Sequence, residues 1–165
     1  MLQKNKYISF ITNPYFQILI VYLITHFFLL ILTGTFWDDM SYETKDLYQF
    51  KEIAMMTGRP EWKYIIPFAW SLPCYGYRWC VFFLYGINAV LYYKILLKCE
   101  FISKIDALFI TLLFITFPNN DARCLLSNFS YALGKTLFFV SSYLFLIYKS
   151  TLKNDYSFIN GILCY

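Results

Sequence analysis

Two adjacent carboxylates, Asp38 and Asp39, stand directly after a long apolar run and beside Trp37. Hydrocarbon expels an ionised carboxylate, so the pair belongs at or just outside a membrane surface, with Trp37 at headgroup level. There the pair has two chemical uses. One carboxylate can act as a general base toward an acceptor hydroxyl, and the neighbouring like charge raises one pKa toward that task. Alternatively, Asp38 and Asp39 together can hold a hard divalent cation, Mg2+ or Mn2+, which prefers carboxylate oxygen and keeps water in its other positions. No other cofactor is implied. An Asp-Asp step also suits a plainer purpose, a solvated cap on a helix that starts at Asp39.

Arg59, Arg78 and Arg123 come from three places in the chain that fall on the same side of the expected membrane. With Lys63 and Lys135 they can bind an anionic lipid phosphate, to which Arg offers a bidentate fork. Attraction to lipid headgroups is the competing reading for each, and Arg59, in the Gly58-Arg59-Pro60 break, stands furthest from it. His26 lies within the first apolar run, where a turn of about 100° per residue places it on one face with Tyr22 and Thr33. That face should look toward neighbouring helices, with the imidazole neutral and hydrogen-bonded.

The elements that carry these groups are apolar. Of 165 residues, 59% are hydrophobic, 23% aromatic and 15% charged, and the mean hydropathy is +0.51. Soluble domains run near 45–50% apolar and about 25% charged, so the composition excludes an ordinary soluble domain. The 5 Cys form no CxxC pair and there is 1 His, which removes most zinc arrangements. The first apolar run exceeds the ~7–15 residues of a signal sequence and has no small-residue cleavage site, so it reads as a retained helix.

Four apolar segments are spread along the chain: 14–33, 79–97, 105–118 and 131–148. A full span takes about 20 residues, so the third is short. The fold class is therefore all-α, a multi-pass integral membrane protein of about four transmembrane helices in a single membrane domain, 1–165. A 34–77 extracytoplasmic loop joins the first two. Leu47, Phe50, Ala54 and Thr57 share one face of a helix over 39–57, and Gly58 sits at its C′ position. Pro60 restarts a second helix, with Trp62, Ile65 and Ile66 in the interface and with breaks at Pro67 and Pro73. Lys4, Lys6, Lys94, Lys98, Lys104, Lys149 and Lys153 crowd beside helix ends on one side. By the positive-inside rule that side is cytoplasmic, which places the N-terminus inside and the acidic loop outside.

An aromatic–Asp-Asp step after a first membrane helix, followed by a long outer loop, resembles the GT-C superfamily of membrane glycosyltransferases. More narrowly, Trp37-Asp38-Asp39-Met40 with Thr57-Gly58-Arg59-Pro60 is similar to the serotype-converting O-antigen glucosyltransferases. Phe117-Pro118 and Ser130-Tyr131-Ala132-Leu133-Gly134 look like a later segment of that family. Met40 stands where the family usually has Trp. The resemblance implies transfer of a glucosyl-type residue from an undecaprenyl-phosphate-linked donor to a glycan acceptor such as O-antigen, at the outer face of a bacterial inner membrane. It gives Asp38 and Asp39 the catalytic role and Arg59 a role at the donor phosphate. It also implies that the chain corresponds to the N-terminal portion of a longer fold, with a remaining C-terminal polypeptide as partner.

The competing function is a non-catalytic four-span protein, an accessory or flippase-type component of polysaccharide export. Membrane lipids are partners in either case, and no nucleic-acid partner is expected. Substitution of Asp39 separates the two, since only the enzyme loses sugar transfer while inserting normally.

Overall fold

The computed structural model describes residues 12–31, 49, 52, 55–56, 58–72, 76–117 and 128–163. Among them the structure is all-helical: α1 (Pro14–His26), α2 (Phe28–Ile31), α3 (Trp62–Ser71), α4 (Gly76–Leu96), α5 (Lys104–Thr116) and α6 (Asn128–Leu163). Local sequence sets several of these boundaries. Asn13 Oδ1 accepts from the Tyr15 N–H at 2.9 Å and Pro14 fills the first turn, so α1 starts where an orphan donor is satisfied. Ser103 Oγ accepts from the Asp106 N–H at 3.1 Å and donates to Asp106 Oδ2 at 2.6 Å, a reciprocal cap on α5.

The first apolar run is not one continuous helix. It breaks at Phe27, and α2 carries on to Ile31. Two residues earlier the Thr25 hydroxyl donates to the Val21 carbonyl at 2.8 Å, a back-bond that bends helices.

The core forms around α4, which contacts α1, α2, α3, α5 and α6. Its buried side chains include Arg78, Val81, Phe82, Tyr85, Asn88, Ala89 and Tyr93, recurring every three or four residues. Tyr15 meets Tyr93 with ring centroids 5.4 Å apart and Tyr22 meets Phe82 at 5.1 Å, so α1 runs antiparallel to α4. Lys135 lies over Tyr85 and Phe139 meets Tyr92, so α6 runs parallel to it. Ala89, Ala107 and Ala132 are fully enclosed, and small residues at such positions let helix backbones approach closely. Thr111 and Thr136, also buried, return their hydroxyls to the Ala107 and Ala132 carbonyls at 2.7 and 2.8 Å.

Among the described residues two helical stretches are long and apolar enough to cross a membrane, Gly76–Leu96 and Phe129–Thr151. Each of α1 and α5 has 13 residues, about 20 Å at 1.5 Å per residue against a hydrocarbon core of about 30 Å. Four apolar helices are thus present near the expected segments, and two of them have full length. The last helix exceeds expectation, running past Tyr148 to Leu163.

The 34–77 segment differs from expectation at Pro67. Pro67 lies inside α3 rather than ending it. An interior proline costs about 3 kcal/mol, and burial of Ile66 and Ala69 against the core offsets that loss. The same burial packs α3 on α4 and α6, while Tyr64 and Phe68 on the same helix stay exposed. The expected helix over 39–57 falls largely outside the described residues. Residues 49, 52, 55 and 56 are helical, and Gly58 comes after them with φ +67°, the left-handed conformation of a C′ glycine.

Candidate functional site

The end of the bundle where α4 and α6 begin and α1 finishes carries Arg59, Glu61 and Lys63. Gly58 turns the chain after Met55, its N–H reaching the Met55 carbonyl at 3.2 Å, and the Arg59 carbonyl then accepts from Trp62 at 3.0 Å. This tight turn delivers the Arg59 side chain between two rings. Its guanidinium carbon lies 4.6 Å from the centroid of Trp62, on α3, and 4.7 Å from that of Tyr131, in the first turn of α6. The two rings meet edge to face, 6.2 Å apart at 86°. A cation within about 6 Å of a ring face is attracted by the quadrupole, and two faces restrict it further.

Beside this clamp is a pocket of about 290 Å³ whose wall includes Arg59, Glu61, Trp62, Tyr131 and Gly134. Glu61 occupies the cap position of α3, yet its side chain makes no capping hydrogen bond. Among the described residues no ion pair joins Arg59 to Glu61. The pocket therefore presents a donor fork and an acceptor carboxylate separately, on a wall that also carries Ser130 and the apolar Ile65, Leu133 and Leu137.

Further into the bundle an aromatic stack links three helices. Lys135 Nζ lies 5.1 Å from the Tyr85 ring. Tyr85 faces His26 at 6.4 Å, and His26 stacks on Tyr22 at 4.4 Å. The Tyr22 hydroxyl donates to the Phe82 carbonyl, and Thr25 Oγ1 and His26 Nδ1 are hydrogen-bonded at 2.7 Å. His26 is thus an interior histidine facing its neighbours, as its spacing with Tyr22 indicates. A larger groove of about 520 Å³ between α1 and α4, walled by residues such as Ile18, Phe83, Ile87 and Val90, holds no charged group.

Of the residues singled out from sequence, Arg59 forms the clamp. Arg78 is 1% exposed, on the buried face of α4, with its guanidinium 5.5 Å from the Tyr77 ring. Lys135, grouped with the arginines as a lipid-phosphate contact, holds its Nζ over the Tyr85 ring. Asp38, Asp39 and Arg123 lie outside the described residues, and with them the pair that would hold Mg2+ or Mn2+. Among the described residues no group of three or more His, Cys, Asp or Glu is placed to hold a metal ion. Sequence reasoning does not foresee Tyr131 as the second wall of the clamp, nor Glu61 and Gly134 as pocket residues. Arg59 and Tyr131 are too far apart in the chain for any local periodicity to link them, and only the Ser130–Gly134 motif draws attention to that turn of α6.

Comparison with protein-family models, curated proteins and solved structures finds no match.

Proposed function

We propose that the chain is a membrane glycosyltransferase, or the N-terminal part of one. In this reading it transfers a glucosyl-type residue from an undecaprenyl-phosphate-linked donor to a cell-surface polysaccharide such as O-antigen. The observation that carries the reading is the Arg59 guanidinium held between Trp62 and Tyr131 at the mouth of a small pocket. A fixed guanidinium fork suits a phosphate oxygen pair, and desolvation by two rings strengthens the contact. The clamp lies at the end of the bundle toward which α1 and α2 run, and the chain reaches Asp38 seven residues past Ile31. In the bacterial inner membrane, with the N-terminus cytoplasmic, this end is extracytoplasmic. The acceptor hydroxyl then gives its proton to one carboxylate of the Asp38–Asp39 pair as its oxygen attacks the sugar's anomeric carbon, and the lipid phosphate leaves. Arg59 stabilises the charge that develops on that phosphate.

The deciding experiment places the chain in membranes with a radiolabelled undecaprenyl-phosphate glucose donor and the acceptor polysaccharide. Asp39→Asn abolishes transfer while leaving membrane insertion unchanged. Transfer that proceeds equally well in the Asp39→Asn variant would move the assignment to a non-catalytic accessory or flippase-type protein.

A further inference from the structure

The pocket beside the clamp has a wall that phosphate binding alone does not explain. Glu61 brings a carboxylate to it, and a carboxylate and a phosphate both only accept hydrogen bonds, so Glu61 opposes a bare phosphate. Arg59, in turn, only donates. Both charges line the pocket, with the guanidinium between the Trp62 and Tyr131 rings and, among the described residues, no ion pair to Glu61. Their natural ligand offers acceptors to one and hydroxyl donors to the other.

Gly134 supplies an independent observation. It lies within α6, where glycine is destabilising relative to alanine, and a Cβ added there would meet nothing within 4 Å. Packing does not demand this glycine. The space it leaves is part of the pocket wall. At about 290 Å³ the pocket sits at the lower edge of the roughly 300–1,000 Å³ of small-molecule sites, the size of one ring with a substituent.

We infer that this pocket holds a single phosphorylated sugar ring, with its phosphate on Arg59, its hydroxyls on Glu61 and its ring over the bare backbone at Gly134. Glu61 is thereby the residue that reads the sugar. The inference rests on the glycosyltransferase reading for its ligand class, but it is tested by binding and needs no turnover.

The test uses the full chain in nanodiscs of phosphatidylglycerol, with glucose 1-phosphate as the probe and saturation-transfer NMR as the readout. Ring-proton signals from the wild type, lost in Gly134→Leu, are the expected result; a Cβ at this position meets nothing within 4 Å, and an unchanged helical circular-dichroism spectrum checks that the variant is folded. Glu61→Gln weakens glucose 1-phosphate about tenfold or more, the scale of a hydrogen bond to a charged group, while inorganic phosphate binds at least as well as before. The inference is overturned if Glu61→Gln leaves glucose 1-phosphate binding unchanged or tighter. It is equally overturned if phosphoethanolamine displaces the sugar phosphate with higher affinity, which would make the pocket a lipid-headgroup site. Neither result touches the Asp39→Asn transfer assay, so the two readings fail separately.

Discussion

Removing one wall of the clamp tests whether Arg59 is held as the distances indicate. Arg59 is half-buried, and Tyr131 is 47% exposed. Cation–π contacts span about 0.5–1 kcal/mol at exposed sites to about 2 when desolvated, so an intermediate value near 1 kcal/mol applies to Arg59 and Tyr131. The edge-to-face contact of Trp62 with Tyr131 adds about 0.5–1.5 kcal/mol. Tyr131→Leu therefore costs about 2 kcal/mol, and for a chain of this size Tm falls by about 4–8 °C. The assay is a double-mutant cycle with Arg59→Gln, read by thermal unfolding of the purified protein in detergent. An internal control lies one turn away, where Lys63 Nζ sits 4.7 Å from the Tyr64 ring, but that ring is 68% exposed. The cycle for Arg59 and Tyr131 should give a coupling near 1 kcal/mol, and the Lys63–Tyr64 cycle a smaller one. A coupling below about 0.3 kcal/mol for Arg59 and Tyr131, within ordinary additivity, would refute the clamp.

The core gives three further expected outcomes. Asn88 is fully buried, and among the described residues neither its Oδ1 nor its Nδ2 has a hydrogen-bond partner. Asn88→Leu should raise stability by about 1–3 kcal/mol, and a lowered Tm would contradict this. Tyr22→Phe removes the hydroxyl that binds the Phe82 carbonyl and should lower stability by about 0.5–1.5 kcal/mol in the same melting assay. Gly86→Ala puts a Cβ 3.2 Å from Tyr22 Cε1, on a ring already fixed by that bond and by the His26 stack. It should cost about 1 kcal/mol or more, and a neutral result would show that the ring is free to shift.

Parts of this architecture are legible in the sequence because they are local. The spacing of Tyr22 and His26 gives the inward face of α1, and that face is buried, with Ile18 on it as well. Ser103 and Asp106 start α5 one residue ahead of the expected segment, and the Gly58 stop is realised with positive φ. Other features escape because contacts between distant elements set them. Arg78 looks like any membrane-flanking arginine until five helices close around α4. Pro67 looks like a helix breaker until Ile66 and Ala69 are buried beside it. The clamp needs residues 59, 62 and 131 together, and no periodicity links them. The acidic pair, Asp38 and Asp39, is legible from its position after an apolar run and from resemblance, and it lies outside the described residues.

The most direct test of the proposed function joins the clamp to the chemistry. Initial rates of glucosyl transfer are measured against the concentration of undecaprenyl-phosphate glucose, for the wild type and for Arg59→Gln, in the same membranes. Loss of a charge-assisted contact to the donor phosphate predicts a fall in kcat/KM of about tenfold or more, with insertion unchanged. An unaltered kcat/KM in Arg59→Gln would contradict the account, because the donor phosphate would then be bound somewhere other than at the clamp.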